Sequence, residues 1–252
     1  MPELINVINK DIQLKKVSLI QPSTSVYFFL VAEIDRSIFP FYLFQSSAKK
    51  SLLKLVKEWC LALEQQSGII NATAFSAILV PPGRGKFLES RRNESKVANY
   101  DVAVLIEADS LTEIDKISLN TDYQNIIIQL NNKAKFLYQT IATNVKRIAA
   151  VDHRTDGIFL FNYFYADSLQ QNLAIWEYTA GWFQQVTGLD NSTVLLPVEK
   201  GKSVYTIINH CRWNKLSDIL PALLFNKTFR TYVLDNFYAN NVAAMPILYT
   251  KI

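Results

Sequence analysis

Leu111-Thr112-Glu113-Ile114 follows a run, Asp101 to Glu107, that reads as a buried strand, and Leu216-Ser217-Asp218-Ile219 follows another, Val204 to Arg212. After each, an asparagine opens a second helix with an aromatic residue three positions later: Asn120 with Tyr123, and Asn226 with Phe229. A strand–short helix–helix unit that recurs at this distance marks an internal duplication of a small α+β module. It decides the architecture and says little about chemistry.

Working outward, Val26 to Ile34 is rich in aromatic and β-branched residues and reads as a strand. Leu52, Val56, Trp59 and Leu63 recur at spacings of four and three, which predicts an amphipathic helix over Ser46 to Gln66 with Gly68 as its stop. Ile70 to Val80 reads as a second strand, and a polar loop runs on from Pro81-Pro82-Gly83 to Asn99. A helix from Asp122 to Asn144 and a strand from Val145 to Val151 complete the first unit. In the second unit Gly157 to Tyr165 is a strand, and Ser168 with Gln171 forms a capping box before a helix that ends at Gly188. Thr193 to Val198 and Val204 to Arg212 pair as a hairpin through Glu199-Lys200-Gly201-Lys202. Val242 to Tyr249 is the last strand, where Pro246 predicts an edge or a bulge.

Each half is therefore βαββαβ, the ferredoxin-like order. The expected division is an arm over 1–24, one repeat over 25–151, a linker over 152–156 and a second repeat over 157–252. Such a sheet carries both helices on one face and leaves the other bare, with large apolar groups on it. Two sheets in one chain can cover each other and form an α/β barrel. Each can instead pair with a copy from a second chain, as a homodimer.

The 252 residues suffice for one large domain or two small ones, and the hydrophobic half of the composition with 19% charged residues fits a folded chain. A net charge of +4 is too small and too spread for a nucleic-acid footprint; its densest stretch is Arg84, Lys86, Arg91, Arg92 and Lys96, diluted by Glu89 and Glu94. Cys60 and Cys211 read as buried reduced thiols. Met1 to Lys10 lacks the apolar core of a secretory signal, and no apolar run approaches the ~20 residues of a membrane helix. The expectation is a cytoplasmic protein with no membrane partner.

The passage Tyr205-Thr206-Ile207-Ile208-Asn209-His210-Cys211-Arg212-Trp213, with Asn162 on the preceding strand and Phe229 opening the last helix, resembles the dimeric α/β-barrel superfamily, and the antibiotic-biosynthesis-monooxygenase type within it. The resemblance covers about 155–252 closely and 25–151 by topology. It implies cofactor-free oxygenases of aromatic molecules, haem degraders or duplicated haem proteins as relatives. The haem degraders use an Asn on the first strand, a Trp on the third and a His on the next helix. Asn162 and Trp213 match the first two, but Leu216 to Leu224 carries no histidine, so haem chemistry lacks its axial ligand.

Aligning the third strands puts Ala103, Leu105 and Glu107 on one face with Ile208, His210 and Arg212, and the uniformly apolar opposite face belongs under helices. Glu107, His210 and Arg212 then point into a barrel lumen. There His210 can serve as a general base and Arg212 can hold an enolate or carboxylate. Asn162 orients a ligand, and Tyr163 and Trp213 supply stacking walls. The structural reading, which weighs more, is a hydrogen-bonded core histidine, a rim arginine and a barrel filled by its own side chains. Arg91, Arg92 and Phe87 lie in the long loop of the first repeat, either as a lid on a barrel mouth or as a solvated excursion. No spacing of Cys, His or carboxylates reads as a metal site. The functional expectation is a small hydrophobic or aromatic ligand, held with no cofactor, in a binder, a monooxygenase or an isomerase. The competing expectation is a non-catalytic interaction protein.

Overall fold

Eight strands close into one barrel, and the chain closes it alone. The structure, a computed structural model, describes residues 4–35, 38–84, 86–91, 95–199 and 203–252. The first unit runs β1 (Val26–Glu33), α1 (Ser47–Leu63), β2 (Ile69–Leu79), α2 (Lys86–Ser90), β3 (Val102–Ala108), α3 (Leu111–Leu119), α4 (Thr121–Lys133) and β4 (Phe136–Ala149). The second runs β5 (Ile158–Ala166), α5 (Leu169–Thr187), β6 (Ser192–Pro197), β7 (Ile207–Trp213) and α6 (Leu216–Phe225). A π-helical turn, Phe229–Leu234, then leads into α7 (Asp235–Ala239) and β8 (Val242–Lys251).

Around the barrel the order is β1-β3-β2-β8-β5-β7-β6-β4. Within each unit this is the ferredoxin-like order, and the seams are the antiparallel pairs β2·β8 and β4·β6. The bare faces of the two sheets thus cover each other, so the duplication, not a second chain, supplies the partner.

The caps expected at Ser168 and Gly188 hold in part, and Ser46 adds one that the sequence did not single out. Ser46 accepts from the Lys49 N–H, Ser168 from the Gln171 N–H, and Gly188 takes a left-handed conformation at φ 68°. Gln171 does not return a bond to Ser168; its amide donates to Asn240 Oδ1 at 3.1 Å. The helix expected to reach Asn144 instead ends at Lys133, and β4 starts at Phe136. The strand must be long because it serves both sheets, pairing with β1 from Phe136 to Thr143 and with β6 from Ala142 to Ala149. Pro246 is not on an edge strand, since β8 lies between β2 and β5. The β2 ladder stops at Leu248, however, so the missing Pro246 N–H costs no bond on that side. Lys200, Gly201 and Lys202 of the expected hairpin turn lie outside the described residues.

The inward faces fill the lumen with rings. Phe29 of one sheet meets Phe161 of the other with centroids 4.9 Å apart. Tyr100 and Tyr205 stand two residues ahead of β3 and β7, and their hydroxyls hydrogen-bond across the two units at 2.7 Å. Tyr163 donates to Tyr249, which donates to the Tyr100 carbonyl at 2.9 Å. The long loop of the first unit folds inward rather than into solvent: Phe87 and Leu88 are buried in the lumen cluster, and Phe87 stacks on Tyr165. Arg91 lies over the Phe87 ring and pairs with Asp167 at 3.1 Å, while Arg92 lies outside the described residues.

Candidate functional site

The side chains singled out in the sequence fall on two faces of the second unit's sheet. Alternation along β5 and β7 sends Phe161, Tyr163, His210 and Arg212 toward the lumen, and Leu160, Asn162, Asn209, Cys211 and Trp213 toward α5. Glu107 also faces the lumen, accepting from the Tyr27 hydroxyl at 2.9 Å.

On the lumen side Glu107, His210 and the Arg212 Nη2 have partners within the fold, while Arg212 Nε and the Tyr42 hydroxyl are buried without one. His210 donates through Nδ1 to the Leu160 carbonyl at 3.0 Å, which leaves Nε2 to accept from Nε2–H of His153 at 2.8 Å. Its ring stacks on Phe161 with centroids 4.1 Å apart. Burial holds His210 well below the ordinary imidazole range, and a second cause is the neighbouring His153. Burial likewise pulls His153 down to about 4, against the raising effect of Asp152. Both rings are therefore neutral at pH 7. Arg212 is tied to the Asp156 carbonyl over Gly157, where a Cβ would come within 2.6 Å of both Arg212 Nε and the Trp213 carbonyl.

The α5 side is different. Asn162 is 9% exposed, and its Oδ1 is buried without a hydrogen-bond partner. Two small cavities flank it. One, about 30 Å³, is lined by Asn162, Asn209, Ser192, Trp176, Cys211 and Trp213. The other, about 20 Å³, lies between Asn162, the π-helical turn at Phe229 and Val233, and the Pro81–Gly83 segment of the first unit. Phe183 and Phe237 line both. Trp213 is anchored by its indole N–H on Thr187 Oγ1 at 3.0 Å, and Ser192 donates to Asn209 Oδ1 at 2.5 Å. Burial pushes the Cys211 thiol far up, so it stays protonated. A haem does not fit: no histidine lines either cavity, and α6 carries none.

The first unit shows what this interface is without a site. The pair Asn162–Asn209 corresponds by register to Leu30–Val104, both fully buried and apolar. Sequence reasoning missed Asn209, Ser192 and Phe237. The signal for Asn209 was present, because it lies directly across the ladder from Asn162 on the same face.

Two ferredoxin-like units closed into an eight-strand barrel define the fold of the dimeric α/β-barrel proteins, here with both halves in one chain. Among solved structures, an anthrone oxidase-like protein superposes with a TM-score of 0.61 at 13% identity, over 91% of this chain and 92% of that one. A candidate monooxygenase from Fusobacterium nucleatum subsp. nucleatum ATCC 25586 gives 0.58 at 7% identity, over 90% and 92%. At these identities the likeness is one of fold. No protein-family model matches the sequence, and no curated protein matches it. No helix among the described residues is long and apolar enough to cross a membrane.

Proposed function

We propose that the protein binds a small, flat, largely apolar molecule between α5 and the sheet of its second unit, with Asn162 Oδ1 accepting from a hydroxyl or N–H of the ligand. The observation that carries this reading is the unpartnered carbonyl oxygen. A buried acceptor with no donor costs ~1–3 kcal/mol, and a ligand that donates to it recovers that cost. Indole and phenyl walls suit an aromatic body. The cavities are water-sized as they stand, so binding requires Phe183 and Phe237 to swing aside. The adjoining π-helical turn is a form of backbone common at such sites. The lumen is the scaffold in this reading, since its rings and histidine pair occupy it.

The enzymatic version is a cofactor-independent oxygenase or isomerase acting on that ligand. No carboxylate or histidine lines either cavity, so the substrate must ionise easily by itself. A tricyclic anthrone is the first probe, given the fold neighbour described as anthrone oxidase-like. The test compares melting temperature with and without the anthrone, and oxygen uptake, for wild type and Asn162→Leu. The expected result is a ligand-induced rise in wild type that Asn162→Leu abolishes, with the unliganded variant no less stable. An equal rise in both proteins removes Asn162 from the site.

A further inference from the structure

Closing the barrel within one chain uses up the sheet faces through which two copies would otherwise pair. A different surface is left uncovered. Between β1 and α1 the residues Ile38, Phe39, Phe41, Leu43 and Phe44 are 67, 67, 46, 72 and 58% exposed. They are not loose. The Phe41 N–H bonds the Ile38 carbonyl at 2.7 Å, the Tyr42 N–H the Ile78 carbonyl at 3.0 Å, and the Val80 N–H the Pro40 carbonyl at 2.7 Å. These bonds fasten the segment to the end of β2, with Tyr42 turned inward at 6% exposure and its neighbours held outward. Arg84 lies over one side of the Phe39 ring, 5.9 Å from its centroid.

We propose that this segment is the contact through which the chain forms a two-fold dimer with a second copy of itself. With ordinary residue areas the five exposures amount to roughly 700 Å², side chain and backbone together, beside the ~300–600 Å² of the largest apolar patch on a typical monomer. The total is close to the ~800 Å² each partner contributes to a standard interface. From Ile38 to Ser46 no residue is charged, so within the segment itself no like charges oppose its copy, and Arg84 lies at one side on the Phe39 ring. Two-fold pairing is the commonest closed arrangement for such a self-facing patch. The contact is independent of the cavity at Asn162, so neither reading stands on the other.

The test is sedimentation equilibrium of the full chain across micromolar concentrations. Wild type is expected at the mass of two chains. Leu43→Asp, which places a carboxylate opposite its own copy, is expected to weaken association by at least about tenfold, with an unchanged melting temperature because Leu43 is already exposed. Leu119→Asp, at another exposed leucine (83%), remains dimeric. A wild type that is monomeric throughout, or a Leu43→Asp protein that dimerises equally well, overturns the proposal. So does a monomeric wild type that floats with phosphatidylserine vesicles, which would make the patch a lipid contact.

Discussion

A pair of imidazoles shows how one residue's setting changes its chemistry. His153 and His210 look like separate features in the sequence, one in a linker and one on a strand, yet they share a hydrogen bond at 2.8 Å inside a wall of Phe75, Phe159 and Phe161. The unfolded chain takes up protons at these rings near pH 6.5, whereas folded His153 resists until about 4 and burial holds His210 well below its ordinary value too. Between those values the unfolded state holds more protons, so stability is full above pH 6.5 and falls as pH drops. The melting temperature is expected to decline between pH 6.5 and 5, above the range where carboxylates titrate. His153→Gln keeps an N–H for His210 Nε2 and should flatten that decline; an unchanged slope would mean other groups set it. The inward aim of His210 followed from alternation along β7. Its partner did not, because a contact between a linker and a strand 57 residues apart leaves no local pattern.

Elements show a similar division. The helices of the second unit are tied to the chain ahead of β1 by two asparagines. Asn236 accepts from the Ile8 N–H at 3.0 Å, and Asn240 accepts from the Asn6 N–H at 2.7 Å while donating to the Asn6 carbonyl at 2.8 Å. Both are buried on α7 or at its end, one helical turn apart. Asn240→Ala removes both bonds to the exposed Asn6 backbone, which water can then reach, and should cost ~0.5–1.5 kcal/mol per bond. A protein of this size then melts lower by about 2–4 °C per kcal/mol. Trypsin should also cut faster at Lys10, Lys15 and Lys16; cutting at the wild-type rate would show that the Asn236–Ile8 bond, Gln185 on the Lys15 carbonyl and the apolar contacts of Ile5 and Ile12 hold the segment without Asn240. Periodicity predicted α1 and α5 well, because one buried stripe decides a helix. It failed for β4, whose length answers to two partner strands rather than to its own pattern. It also failed for the 81–99 loop, where Phe87 and Leu88 sit among polar residues that outvote them.

Across the whole molecule, the two units share their interior. Lumen rings interlock across the units at Phe29–Phe161 and Tyr100–Tyr205, and both seams are strand ladders. Neither unit keeps its inner face dry once the other opens, so the chain should unfold in one step. Tryptophan fluorescence reports mainly on the α5 side, through Trp176, Trp182 and Trp213, while far-ultraviolet circular dichroism reports on both units. Their melting curves are expected to coincide; a circular dichroism transition that precedes the fluorescence change would show the first unit opening alone. The duplication was legible from the repeated Leu111 and Leu216 passages. Closure within one chain was not, because pairing with a copy satisfies the same apolar faces.

The β2·β8 seam also has a history in time. Of the eight strands β8 is made last, yet it fills the place between β2 and β5. From the completion of β2 at Leu79 until Val242 emerges, one side of β2 has no neighbour and the ring-lined interior stands open. At ~5–20 residues per second a ribosome leaves that gap for roughly 10–30 s. For that interval the nascent chain carries the sticky edge that its finished form has entirely hidden.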